Sequence, residues 1–322
     1  MTLTLKGVDG LNNALYASYD QVLYESRDLA QSWFRSSIPW PPGLDKRTAY
    51  FQRWKGVLYC SGTYLDPSST KHMGLWRRVD GTWTRVLAGV AGSSANTRCV
   101  LDGDDNYLHI GEYGGPSGGP HIYRSRDGVS WEPSFTRLGW KHIHAVACDP
   151  FRPGHVYATV GDGIGVTLIR STNYGSPGSF SIAIKPGTYQ SVQISFAPNE
   201  IWLASDNAWT SDPDTVFTVN RDTLMIRDAT PNYHQELAVP GQPGAKWRSN
   251  AYFGAVDPQT GHYYCVTGPG SNSGTAQGMF FVGREGASVQ LFDGPKRIGC
   301  LARVHIFRGY VLTDNWFAPL VP

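Results

Sequence analysis

The sequence predicts an all-β fold, a β-propeller of about six four-stranded antiparallel blades in one domain over residues 1–322. Three observations carry this. Short apolar runs alternate with Gly, Pro, Asn and Asp turns along nearly the whole chain, and no long run has a helical period. One strand recurs every 45 to 60 residues or so: Gly56–Cys60 (GVLYC), Asn106–Ile110 (NYLHI), His155–Thr159 (HVYAT), Glu200–Ala204 (EIWLA) and His262–Val266 (HYYCV). Composition agrees, with 37 Gly, 21 Pro, 13% aromatic and only 17% charged residues, as many strands and tight turns require.

In chain order, the first unit covers Leu11–Ser37, with runs Ala14–Ala17, Val22–Glu25 and Trp33-Phe34, and is one strand short. The second runs from Thr48 to Ala88 and closes on the Asp80-Gly81 turn. The third is the clearest. Val100-Leu101, Tyr107–Tyr113, His121–Ser125 and a run opening at Trp131 are divided by an acidic turn, the loop Gly114–Pro120 and the Asp127-Gly128 turn. The fourth unit is His142–Ile184, the fifth Tyr189–Asp228 and the sixth Trp247–Asp293, and the tail Ile298–Asn315 holds one or two more strands. A short first unit and a strand-bearing tail together predict that the C-terminal strand completes the N-terminal blade, leaving only short protected edges. Ala229–Lys246, with three prolines and little alternation, reads as a long loop.

Charge and hydropathy exclude several classes. A net charge of +2 without a basic block argues against nucleic acid or an anionic membrane as partner. No apolar stretch approaches the roughly 20 residues of a membrane helix, so no membrane insertion is expected. Met1–Gly10 has neither a positive n-region nor an apolar h-region, so no signal peptide is expected. The five cysteines, Cys60, Cys99, Cys148, Cys265 and Cys300, are odd in number and each lies in an apolar run. They read as small buried hydrophobes in a reducing compartment, not as a disulfide framework.

Several units carry a second mark after their third strand. Ser125-Arg-Asp127-Gly128-Val-Ser-Trp131 resembles the Asp-box of sialidase-like (BNR repeat) propellers. Ser26-Arg-Asp28, with Trp33, resembles it with Ala30 in the Gly place; Ser171-Thr-Asn173-Tyr-Gly175 resembles it without Trp; Val79–Trp83 is a fragment. The resemblance implies a structural turn away from the ligand face, in which Asp accepts backbone N–H bonds, Gly takes positive φ and Trp packs. Gly111–Tyr113, His142–Val146, Asp149-Pro150, Val160–Asp162, Gln190 with Val192, and Ser205-Asp206 follow the order of uncharacterised sialidase-like repeat proteins, extending the resemblance over residues 11–315. Sialidase activity is not implied. The first blade has no Arg-Ile-Pro motif; Arg98, Arg248 and Arg303 precede or occupy inner-strand runs and could form a carboxylate-binding triad, but nothing in their spacing requires one.

The ligand face of a propeller collects strand ends and loops near the central axis. Glu112, Tyr113, His142, His144, Asp162, Gln190, Asp206 and Trp209 are the ligand-binding candidates there. His142 and His144 are two apart on a strand and share a side. With Glu112 or Asp162 they would suit a divalent metal, but His-x-His alone does not define a site, and no metal or cofactor is expected. Glu112 with Asp162 or Asp206 would serve as acid and base of a glycosidase. A histidine or Tyr113 would instead serve a lyase acting on a uronic acid. Against both stands the reading in which these carboxylates cap turns and bond backbone amides. Trp40, Trp140, Trp209 and Trp316 lie in turns or loops where a sugar could stack, Trp209 foremost.

Two functions of different class follow. The leading one is a non-catalytic recognition module that binds a glycan or cell-surface polymer. An outward-working fold without an export signal points to a bacteriophage tail-tip or receptor-binding component, located in the virion beside other tail proteins; a cytoplasmic location is the other expectation. The alternative is a glycoside hydrolase or polysaccharide lyase with a central-pocket active site. The enzyme reading requires Glu112, His142, His144 and Asp162 to converge within about 8 Å, and weakens if they are scattered or bonded to backbone.

Overall fold

The computed structural model describes residues 4–9, 14–28, 31–94, 102–114, 119–161, 165–184, 190–205, 216–229, 249–269, 277–287, 290–291, 298–299, 304–307, 310–312 and 317–319. Among the described residues every regular element is a strand, so the chain has the all-β propeller class that its repeat predicts. It divides into two compact units, residues 1–187 and 188–322.

In the first unit, β1 (Thr4–Asp9), β2 (Ala14–Tyr19), β3 (Val22–Ser26) and β4 (Phe34–Arg35) form one antiparallel meander. β5 (Leu44–Trp54), β6 (Val57–Leu65), β7 (Lys71–Val79) and β8 (Thr82–Ala88) form the next. A parallel bridge, Gly7 to Phe51, joins these two meanders into one eight-stranded sheet. β9 (Asp102–Gly103), β10 (Leu108–Gly111), β11 (His121–Ser125) and β12 (Glu132–Thr136) make a four-stranded sheet. β13 (His142–Cys148), β14 (Val156–Gly161), β15 (Thr167–Ser171) and β16 (Ser181–Ile182) make another. In the second unit, β17 (Ser191–Phe196), β18 (Glu200–Ser205), β19 (Val216–Asn220) and β20 (Ile226–Asp228) form a sheet. β21 (Ser249–Val256), β22 (Tyr263–Pro269), β23 (Gln277–Gly283) and β24 (Gln290–Leu291) form the next, with β25 (Ile298–Gly299) also on β23. β26 (His305–Phe307), β27 (Tyr310–Leu312) and β28 (Phe317–Pro319) close the set of six sheets.

The six expected units agree with these meanders to within a few residues. One expectation is corrected. The missing strand of the first meander is β1, paired with β2 from Thr4↔Ser18 to Asp9↔Ala14, and not the C-terminal tail, whose strands β26–β28 pair among themselves. The sequence of β1, TLKGVD, neither alternates nor carries an apolar run, and so gave no strand signal. Its ladder is broken by a bulge between Leu5 and Gly7, and the buried Lys6 is satisfied by donating its Nζ to the Arg47 carbonyl at 2.9 Å.

In the first unit, apolar faces of successive meanders pack on one another. Trp54, Tyr59, Met73, Leu75, Leu108, Ile110 and Tyr123 fill the layer between β5–β8 and β9–β12, and Ile122, Ile143, Val146, Val156, Val160 and Ile169 fill the next. Gly111 lets these layers close at the edge that matters below, because a Cβ there would lie 2.5 Å from Ile143 Cγ2. Cys60, Cys148 and Cys265 are buried and free, as small apolar residues would be, and Cys99 and Cys300 lie outside the described residues.

The turns between third and fourth strands have the bonding that a structural role demands. Asp127 Oδ1 accepts the N–H groups of Val129 and Ser130 at 2.8 and 2.7 Å and the Ser125 hydroxyl at 3.0 Å, while Gly128 has φ 71°. Asp28 likewise accepts from Ser26 Oγ, Ser32 N–H and Ser32 Oγ, and those bonds hold its carboxyl down at about 2. At the third such turn, Ser171 Oγ accepts the N–H groups of Asn173 and Gly175, both at 3.1 Å. Trp131 packs against the neighbouring core layer, and Trp33 is half-buried. All three turns lie at the sheet edge opposite the one where first strands begin.

Candidate functional site

First strands begin and second strands end along one edge of these sheets. There β10 runs out at Gly111, β11 begins at His121, β13 begins at His142 and β14 ends at Gly161. Three backbones lie side by side. The Glu112 N–H donates to the His121 carbonyl at 2.9 Å, and the Glu112 carbonyl accepts the Ile143 N–H at 2.9 Å. Tyr113 is clamped to the loop after β8, where Ser94 N–H and Oγ both donate to its carbonyl at 2.9 Å and its own N–H donates to the Ser94 carbonyl at 3.0 Å.

The side chain of Glu112 is completely buried, and its carboxylate accepts four hydrogen bonds. Oε1 receives the Val90 N–H at 2.8 Å and the Tyr123 hydroxyl at 3.1 Å; Oε2 receives the His121 N–H at 3.0 Å and His121 Nδ1 at 2.7 Å. Burial, and after it the Glu112 charge, push the Tyr123 hydroxyl well above its ordinary range, so it stays a donor. A carboxylate so enclosed cannot exchange a proton with a ligand. Of the expected roles of Glu112, this bonding fits the one in which the carboxylate is held by backbone amides and neighbouring side chains.

Two of the four bonds come from His121, which was not among the residues expected from the sequence. At this distance a ring N–H at Nδ1 donates to the carboxylate, which leaves Nε2 as the ring nitrogen not tied to Glu112. The ring is fixed on its other side by a stack on Tyr123, 5.5 Å between centroids and 25° between planes, and its side chain is 22% exposed. His72 near the start of β7 shows the contrast. It bonds Asp66 Oδ2 through Nε2 at 3.1 Å and the Gly89 carbonyl through Nδ1 at 3.0 Å, so both of its nitrogens are used structurally. Strand register explains the contact: Gly111 pairs with Ile122 across the hairpin, which puts Glu112 opposite His121.

Tyr113, His142 and His144 do come together. Tyr113 lies flat on His142, 4.2 Å between centroids and 6° between planes; His144 is 5.9 Å from Tyr113 and 5.8 Å from His142, again nearly parallel. A bulge in β13 between Ile143 and Ala145 makes this geometry, with His144 as the extra residue opposite β14. His144 is buried against the bare backbone of Gly161, where a Cβ would lie 1.8 Å from its Cε1. Tyr113 and His142 remain half-buried. Rings stacked in this way do not converge on one point, and among the described residues no group of three His, Cys, Asp or Glu is placed to hold a metal ion.

Gln190 precedes β17 in the second unit and is 9% exposed. Asp162, Asp206, Trp209 and Trp316 lie outside the described residues, as does nearly all of the expected 229–246 loop. Trp40 and Trp140 prove to be packing residues. Trp40 donates Nε1 to the Gln21 carbonyl at 2.8 Å and lies 5.6 Å from Phe51, while Trp140 lies 5.7 Å from Phe135, with the Arg137 guanidinium 4.7 Å from its ring.

The sequence matches no protein-family model and no curated protein. Its fold is similar to those of solved structures at low identity. A GH74 xyloglucanase from Xanthomonas campestris aligns over 97% of this chain and 50% of its own, with TM-score 0.63 and 15% identity. A structure from a study of two prolyl endopeptidases aligns over 97% of this chain and 46% of its own, with TM-score 0.58 and 14% identity. An oligogalacturonate lyase in complex with manganese aligns over 89% of this chain and 75% of its own, with TM-score 0.54 and 10% identity. The chain spans about half the length of the first two. At these identities the likeness establishes the fold.

Proposed function

We propose that the protein is a carbohydrate-cleaving enzyme of the lyase type, acting by β-elimination on a polymer of uronic acids. The observation that carries this is the composition of the site edge: three imidazoles and a phenol are gathered there, while Glu112, the carboxylate expected to do acid–base work, is wholly occupied. Glycoside hydrolysis of the usual kind needs two working carboxyl groups about 5 to 10 Å apart. Elimination needs no second working carboxyl group; its base can be an imidazole, provided the sugar carboxylate is neutralised by a cation or proton donor. The base takes the proton from the carbon next to the sugar carboxylate, that C–H electron pair becomes the ring double bond, and the glycosidic C–O bond breaks. The departing oxygen leaves with the electron pair and collects a proton from a site donor or water. A fold similar to those of a xyloglucanase and an oligogalacturonate lyase is compatible with this reading, which favours the enzyme alternative over the recognition module.

A binding module remains the second reading, because the flat Tyr113–His142 stack would equally suit the C–H face of a sugar. Its setting would then be the phage tail or another surface-recognition assembly. Incubation with a panel of polyuronates decides between them. The enzyme reading predicts an ultraviolet-absorbing unsaturated product that accumulates with turnover. Saturable binding with neither unsaturated product nor new reducing ends would reject it in favour of the module.

A further inference from the structure

We infer that His121 is the base of this site and that Glu112 positions it; the inference rests on the lyase reading above. Three features single His121 out from its neighbours. Its Nδ1 is tied to a completely buried carboxylate at 2.7 Å, a bond that favours the Nδ1–H tautomer and leaves Nε2 outside it. Its side chain keeps 22% exposure, whereas His144 is buried beneath Gly161 and His72 has both nitrogens bonded. Its orientation is doubly determined, since the Tyr123 ring that stacks on the imidazole also bonds Glu112 through its hydroxyl. The Glu112 carboxylate stabilises the imidazolium that forms when Nε2 takes the substrate proton, and the cation releases that proton to solvent after the double bond has formed. Tyr113 and His142, whose stacked rings flank the same strand ends, would orient the sugar.

The test uses the full chain and polyuronates as probes. His121→Ala is expected to lower kcat by about 10²- to 10⁴-fold with little change in KM, and added imidazole is expected to restore part of the rate. Nitrogen-15 histidine NMR of the unmodified protein is expected to show the neutral His121 ring protonated at Nδ1. Glu112→Gln, assayed at a temperature where it is folded, is expected to move the acid limb of the pH–rate profile to lower pH, because the imidazolium loses its counter-charge. A merely structural Glu112 would not move that limb. Active wild type with an equally active His121→Ala, or an Nε2–H tautomer of His121, would overturn the assignment while leaving the lyase reading standing. A wild type inert on every polyuronate would overturn both.

Discussion

Glu112→Gln tests the burial argument in quantitative terms. The substitution keeps the side-chain shape but replaces one acceptor oxygen with an NH₂ donor. Each carboxylate oxygen now faces two donors, Val90 N–H and Tyr123 OH on one side, His121 N–H and Nδ1–H on the other. Whichever way the amide turns, one backbone N–H loses its acceptor at a completely buried side chain, Tyr123 or His121 must reverse its role, and all four bonds lose the charge they were made to. Bonds to a charged group contribute about 1.5 to 3 kcal/mol each, and relief from burying a charge offsets part of that loss, so the expected cost is about 3 kcal/mol. With a urea m-value of about 3 kcal/mol per molar, the midpoint falls by about 1 M at constant m. Equilibrium urea unfolding followed by tryptophan fluorescence measures this directly. A midpoint shift below about 0.2 M would refute the claim that the carboxylate is fully engaged, and with it the positioning of His121.

Other substitutions probe the surrounding structure. Gly161→Ala places a methyl 1.8 Å from the His144 ring, so it should lower stability by about 1 to 3 kcal/mol in thermal unfolding and depress activity by disturbing the Tyr113–His142 stack. Asp127→Ala should cost about 1 to 2 kcal/mol by removing the acceptor of the 125–130 turn, yet leave kcat and KM unchanged, because that turn lies at the opposite edge. His109 is completely buried, and burial, then the Arg124 charge, pull its imidazole from 6.5 down to about 3. The unfolded chain therefore takes up a proton as pH falls below 6.5 that the folded chain refuses until about 3, and stability is lost across that window. Between pH 7.5 and 4.5 the loss should be about 2 to 3 kcal/mol in urea midpoints, and His109→Phe should flatten it.

Much of the architecture was legible because each meander carries its own local signals. Alternation and turn residues bounded β5–β8, β13–β16 and β21–β24 to within a few residues. The exceptions have physical causes. β1 is held by backbone pairing and a buried Lys6 instead of an apolar stripe, so periodicity could not reveal it. The tail was assigned to the first meander because one strand was missing there, an inference that failed once β1 filled the place. At the site, matching strand ends brought Tyr113, His142 and His144 into view. Their stacking depends on the β13 bulge, which a strict period of two does not encode. The role of Glu112 was not legible, because whether a carboxylate meets water or four donors is decided by what lies across the hairpin and in the loop after β8. His121 was hidden for the same reason: the Gly114–Pro120 loop separates it from Glu112 in sequence, and only strand register reunites them.

The most direct test of the central claim is the mass of the oligosaccharides that the purified protein releases from a polyuronate in isotopically labelled water. Elimination predicts a new end one water lighter than a hydrolysis product, bearing no label from solvent oxygen and absorbing in the ultraviolet. Products carrying one solvent oxygen at the cleaved bond would show hydrolysis and contradict the account; intact polymer at saturating protein would contradict any cleavage at this site.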